Sequence, residues 1–271
     1  MITSTRIGRY GNLCNSMFQF AAVLGMAKKY NYEVAIPHNK TYYDVNYECN
    51  NTSIFDGFDI NIPILELNNS TFTEVEFPFH YVDHKVDDFT DMIGYFQSER
   101  YFENAIEEVR DQFKFKQEIK DRIDLSKYPD PSKCTSMHIR LGDYMKKRHY
   151  HPMLPTAYWQ NAVREAGLDY IIVFSDDIEH AKRMFGETDQ IVYSREQDPF
   201  EALYHMSLCK NNIICNSTFG WWGAWLGEAN ANNKVITAPE IWLGPGHTTY
   251  IISFNDTIIN LQLFGRMIKF S

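Results

Sequence analysis

The chain has 271 residues, 44% of them hydrophobic and 23% charged, with a formal net charge of -9. That is enough chain for one large domain or two modest ones, and its acidic balance argues against a nucleic-acid surface, which needs a basic field over the phosphates. The cysteines Cys14, Cys49, Cys134, Cys209 and Cys215 form no CxxC pair or zinc spacing, and no secretory leader or membrane-length apolar run is seen, so a cytoplasmic protein with reduced thiols and no integral membrane segment is expected.

In chain order, Thr3 to Ile7 reads as a short strand, followed by the turn Gly8-Arg9-Tyr10-Gly11-Asn12. Helical spacing of Met17, Phe20, Ala21, Leu24 and Ala27 predicts a helix from about Ser16 to Tyr30, and Glu33 to Ile36 reads as a strand ended by Pro37. Residues 38 to 90 show little periodicity, so loops and short elements are expected. Phe102, Ile106, Val109 and Phe113 predict a helix over 99–113, and the proline-containing stretch from Asp124 to Lys133 reads as a linker. Domains are therefore expected at 1–130 and 131–271, the last segment returning to the first. Strands are then expected at 135–139, 170–174, 212–215 and 234–237. Helices are expected at 155–166 and 178–185, from Pro199 to about Lys210 behind an Asp198/Glu201 capping box, and in the Trp-rich segment after Asn216. This alternation implies a parallel sheet with helices on both faces, which binds ligands beyond the C-terminal ends of its strands.

Three strand ends carry the chemistry: His138-Ile139-Arg140-Leu141-Gly142-Asp143-Tyr144, Phe174-Ser175-Asp176-Asp177 and Asn216-Ser217-Thr218-Phe219. In a parallel sheet all three open on one edge. A helix start such as Ser217-Thr218 is an anion site, because its first N–H groups lack helical partners; the other reading is an N-capped core helix built on its tryptophans. Arg140 offers a planar fork for phosphate, or else a structural ion pair with Asp143. Asp176 and Asp177 suit the N1–H and amino group of guanine, a metal beneath a diphosphate, or an ordinary helix cap. His149 and His151 read as a metal pair or as part of a solvated basic loop, with the loop favoured.

These residues resemble a known family. HIRLGDY at 138–144, FSDD at 174–177 and NSTFGWWGAWL at 216–226 look like conserved blocks of the α-1,2-fucosyltransferases of glycosyltransferase family 11, and GYFQSE at 94–99 resembles a further segment. GRYGN at 8–12 is similar to the opening of protein O-fucosyltransferases. The resemblance implies a GT-B-like α/β fold: two Rossmann-like domains facing a cleft, the first for acceptor, the second for GDP-fucose. It implies inverting transfer of fucose to the 2-hydroxyl of a terminal β-galactoside on a glycan, with no metal or other cofactor. His138, Arg140, Ser175, Asp176, Asp177, Asn216, Ser217, Thr218 and Phe219 would face the nucleotide, and Arg140, Asp143, Arg9 and Asn12 would serve catalysis, the base being undecided. Two departures stand out. Leu13 to Ser16 lengthen the glycine–asparagine turn, and Leu141 replaces a second arginine. A transferase for another nucleotide sugar, and a non-catalytic binding protein of the same fold, are the alternatives.

Overall fold

A computed structural model describes residues 1–36, 52–64, 72–78, 80–166, 170–227, 234–244 and the strand at 266–270. Among these the chain forms two compact units, the first Met1–Lys116 and the second starting at Gln117.

The first unit opens with β1 (Ile2–Thr3), in place of the strand expected from Thr3 to Ile7, most of which is a turn. The chain leaves the sheet because the Thr5 N–H and hydroxyl donate to Asp91, at 2.8 and 2.6 Å, and a turn follows. Helix α1 (Leu13–Tyr30) begins earlier than expected: Leu13 to Ser16, read from sequence as extra turn, form its first helical turn. It is buried almost throughout to Ala27, so it is a central helix rather than one with a single apolar face. Gly25 lets it approach its neighbours, since a Cβ there would stand 2.1 Å from the Tyr101 carbonyl.

Beyond α1 the expected strand at 33–36 is reduced to isolated bridges at Val34 and Ile36. Helix α2 (Ile54–Gly57) carries a complete capping box between Ser53 and Asp56. Strands β2 (Thr73–Glu76) and β3 (Thr90–Ile93), which the sequence did not signal, complete a parallel sheet of order β1-β3-β2. The helix expected over 99–113 is broken into two 3-10 turns and α3 (Ile106–Gln112), because Phe102 and Ala105 leave helical ψ. Residues 37–51, 65–71 and 79, much of the stretch expected to be loops, lie outside the described residues, as does Cys49.

The second unit starts with α4 (Gln117–Arg122), tied to the Asp198 end of a later helix by Arg122, 3.6 Å from Asp198. The 124–133 stretch is two 3-10 turns, capped by Asp124 and Asp130, inside this unit. There follow β4 (Cys134–Ile139), α5 (Thr156–Ala166), β5 (Tyr170–Ser175), α6 (Ile178–Phe185), β6 (Ile191–Tyr193) and α7 (Pro199–Leu208). The unit closes with β7 (Asn211–Ile213), α8 (Thr218–Gly227), β8 (Val235–Pro239) and β9 (Arg266–Phe270). Asp198 caps α7 through the Phe200 N–H at 2.7 Å. Glu201 instead lies 3.9 Å from Arg122, so only the aspartate half of the expected capping box forms. The final strand joins this unit's sheet, and residues 245–265 lie outside the described residues.

Every neighbouring pair in this sheet is parallel, in the order β6-β5-β4-β7-β8-β9. Counted within the unit this is the doubly wound order, whose direction reverses between β4 and β7 and leaves a crevice at their C-terminal ends. β4 and the apolar centre of β5 are buried on both faces, as central parallel strands are. Met137, Ile139, Ile171 and Val173 pack under Tyr158, Trp159 and Ala162 of α5, while Cys134, Ile172 and Phe174 meet Met206 and Cys209 on the other face.

Candidate functional site

The parallel register brings the expected strand ends together. Ile139 pairs with Ser175 across β4 and β5, and Met137 with Ile213 across β4 and β7. Arg140, Asp176 and Asn216 therefore leave the sheet on one edge, at the point where strand order reverses.

Arg140 is the centre of this edge. Its Nε donates to Asp143 Oδ1 at 3.0 Å, its Nη2 stands 2.8 Å from the same oxygen, and its Nε lies 3.3 Å from Asp176 Oδ2. Burial works against its charge, but the two carboxylates outweigh burial and raise its pKa further above the ordinary value. The guanidinium is thus a fixed cation, on a side chain still about a quarter exposed. The ion-pair reading holds: Arg140 is paired with Asp143 and also with Asp176, and the pairing fixes its fork in place.

Asp176 is drawn to β4 as well. Its Oδ1 accepts the Leu141 N–H at 2.8 Å, and a Cβ at Gly142 would stand 2.5 Å from its Oδ2. Glycine is what the close approach requires. Asp177 behaves differently, capping α6 through the His180 N–H at 2.9 Å, with its own N–H donating to Ser175 Oγ at 3.1 Å. The two aspartates read together from sequence divide into one partner for Arg140 and one helix cap.

His138 lies beneath the edge rather than on it. It is 4% exposed, packs against the Phe219 ring at 5.2 Å, and sits 3.4 Å from the Cys215 thiol. Burial, with Arg140 nearby, lowers its pKa to about 3, so it is neutral at ordinary pH. Burial also pushes the Cys215 thiol up to about 12. Gly220 accommodates the ring, since a Cβ there would be 2.8 Å from His138 Nδ1.

At the exit of β7 the Asn216 amide donates to the carbonyls of Pro152 and Trp242, at 3.1 and 3.2 Å, pinning two loops. Ser217 Oγ accepts the Phe219 N–H at 3.4 Å, and the first helical bond runs from the Trp221 N–H to the Ser217 carbonyl at 3.2 Å. Thr218 thus sits at the start of α8 with a backbone donor that has no intrahelical acceptor. Trp221, Trp222 and Trp225 are fully buried. The core-helix reading holds for the tryptophans, and the helix start remains at the crevice.

Tyr144, quoted in the motif but assigned no role from sequence, joins the two strand exits. Its hydroxyl donates to the Asn216 carbonyl at 2.9 Å, and His151 stacks on its ring at 4.1 Å. Burial pushes its pKa well up, so it remains a donor. Tyr144→Phe removes the hydroxyl and its bond to the Asn216 carbonyl and is expected to cost about 1 kcal/mol of stability; an unchanged urea midpoint would show that solvent replaces it. A mild depression between these exits is lined by Arg140, Leu141, Pro152, Cys215 and Asn216. Among the described residues no group of three or more His, Cys, Asp or Glu side chains gathers as a metal site, and no helix is long and apolar enough to cross a membrane.

Arg9 and Asn12 belong to the first unit, in the turn after β1. Asn12 is the exposed N-cap residue of α1, yet its side chain makes no capping bond.

Comparison with known proteins matches residues 2–242 to the model of the family described as Glycosyl transferase family 11. An O-antigen biosynthesis glycosyltransferase, WbnK of Escherichia coli, is 37% identical over 47% of this chain and 44% of its own length. An alpha-1,2-colitosyltransferase of Escherichia coli is 32% identical over 56% of each. The matches thus span about half the length of these relatives. The fold is shared with the fucosyltransferase NodZ from Bradyrhizobium, with a TM-score of 0.55 at 13% identity over 86% of this chain and 94% of that one. It is shared also with POFUT1 in complex with GDP-fucose, at 0.52 and 10% identity over 87% and 96%. The architecture is accordingly the expected GT-B-like α/β class.

Proposed function

The chain belongs to glycosyltransferase family 11, and from that premise we propose that it transfers L-fucose from GDP-fucose to the 2-hydroxyl of a terminal β-galactoside on a glycan. The observation that carries this reading is Arg140, held as a fixed cation by Asp143 and Asp176 at the C-terminal end of β4, on the same sheet edge as the start of α8.

In this reaction the acceptor oxygen forms a bond to the fucose anomeric carbon as the bond to the β-phosphate oxygen breaks. The hydroxyl proton passes to the Asp143 carboxylate, or to solvent where Arg9 and Asn12 only orient the hydroxyl, and GDP departs with the bonding pair. Charge grows on the diphosphate, so donors fixed where it grows lower the barrier. Arg140 and the Thr218 N–H are proposed for that role. Ser217 supplies the cap, Phe219 and His138 form the floor, and Ser175 with Asp177 bounds the nucleotide side of the edge. Asp143, or Arg9 with Asn12, handles the acceptor hydroxyl. Attack from the face opposite GDP inverts the anomeric carbon.

The similarity to an alpha-1,2-colitosyltransferase favours one second reading, in which the donor sugar is colitose rather than fucose. A site that hydrogen-bonds the sugar hydroxyl absent from colitose would reject the deoxy sugar strongly, while an apolar site would not.

One experiment tests both. Thermal stabilisation is measured with GDP, UDP, ADP and CDP at equal concentration, because a ligand that binds only the folded state raises stability by mass action. Transfer to lactose is then followed with GDP-fucose and GDP-colitose in excess EDTA. GDP is expected to give the largest shift and GDP-fucose the faster transfer, without divalent metal. An equal shift with UDP overturns the nucleotide assignment, and activity restored only by Mn²⁺ or Mg²⁺ overturns the metal-free mechanism.

A further inference from the structure

The C-terminal edge of the first unit's sheet holds a second constellation. The turn after β3 runs Gly94-Tyr95-Phe96-Gln97, and Phe96 has φ +50°, an uncommon backbone for a bulky side chain. Its ring is fully buried, 4.9 Å from Phe77 and 5.2 Å from Tyr101. A Cβ at Gly94 would stand 3.1 Å from that ring, so glycine lets Phe96 fold under the turn. The buried phenylalanine holds the strained backbone, and its neighbours Tyr95 and Gln97 are turned toward the loop after β1 and the first turn of α1. Tyr95 stacks on Tyr10 at 5.8 Å, and the Gln97 amide donates to Asn15 Oδ1 at 2.8 Å.

Gln19 of α1 joins the same two turns from below. Its amide donates to the carbonyls of Tyr10 and Gly94, at 3.2 and 3.3 Å. Gln19 is fully buried, and its Oε1 has no hydrogen-bond partner among the described residues. An orphaned buried amide oxygen is rare in a native structure and calls for a polar partner. Asn12, at the rim, is equally unusual: asparagine at a helix N-cap ordinarily caps, and this one does not.

Strain held by an aromatic cluster, a half-buried tyrosine pair and amides with unused hydrogen-bonding capacity occur together beyond the ends of parallel strands, where such sheets bind ligands. Amides match vicinal hydroxyls, and an aromatic ring suits the apolar C–H face of a pyranose. We propose that Tyr10, Tyr95, Asn12 and Gln97 recognise the terminal β-galactoside of the acceptor; this rests on the transferase reading above.

The probe is lactose, followed by saturation-transfer NMR against the full chain without GDP-fucose, alongside GDP affinity and acceptor-independent hydrolysis of GDP-fucose. Wild type is expected to show transfer to the galactose ring protons. Tyr95→Ala and Gln97→Ala should each weaken lactose binding by about tenfold, the size of losing one good contact, with GDP affinity and donor hydrolysis unchanged. Tyr95→Phe should retain lactose binding, since it keeps the ring. Should Tyr95→Ala fail to fold, Gln97→Ala decides. No lactose signal on wild type, lactose binding unmoved by both substitutions, or a parallel loss of GDP affinity would each overturn the assignment. A failure of GDP-fucose as donor would show instead as absent GDP binding and hydrolysis, with the lactose result standing by itself.

Discussion

Arg140→Lys is expected to lower fucose transfer by on the order of 10²–10³, the usual loss when one preorganised donor is removed from a developing anion. Lysine keeps the charge but not the planar fork. It cannot hold Asp143 with one pair of N–H groups while offering others to a diphosphate. Turnover should fall more than GDP affinity, because the contact strengthens as the diphosphate leaves. Stability should move little in Arg140→Lys, which keeps a cation beside Asp143 and Asp176 while Asp176 retains the Leu141 N–H. Melting temperature, GDP affinity and transfer rate, measured for Arg140→Lys and Arg140→Ala, separate these effects. Near-normal transfer by either folded variant would remove Arg140 from the mechanism.

The largest expected loss of stability is at Trp222. It is fully buried, edge-on to Trp221 at 4.8 Å and to Trp225 at 5.1 Å. The helix carrying it lies close against α7, where a Cβ at Gly223 would stand 2.6 Å from Met206 Cε. A void there cannot collapse easily, so Trp222→Ala should cost about 3–5 kcal/mol. Because α8 begins at the crevice, GDP is expected to restore part of that loss by binding the folded form. Urea unfolding followed by circular dichroism, with and without GDP, gives both numbers. A cost below about 1 kcal/mol would mean that the cluster repacks.

Much of the second unit was legible because its signals are local. Ile178–Phe185 was read to the residue, since Asp177 caps it and Gly186, at φ +74°, ends it. The apolar run of β5 was equally plain, and the alternation of strands with helices implied the parallel sheet. The first unit was less legible. β2 is mostly exposed and its TEVE sequence carries no apolar run, and the 99–113 helix breaks at Phe102 although its apolar spacing is helical. In both places tertiary packing overrides local preference.

The sequence by itself determined which residue types stand at the strand ends, and through their alternation that these ends share an edge. It determined the family as well, through blocks that span nearly the whole chain. Only the tertiary structure decided what each side chain does there. It gave Asp176 to Arg140 and Leu141 but Asp177 to a helix cap, sank His138 beneath α8, and joined two turns of the first unit through Gln19. The physical reason is distance along the chain. Periodicity and capping act within a few residues, whereas Leu141 and Asp176 are 35 residues apart and Gln19 and Gly94 are 75 apart. Such partners are chosen only when the sheet registers bring their strands side by side.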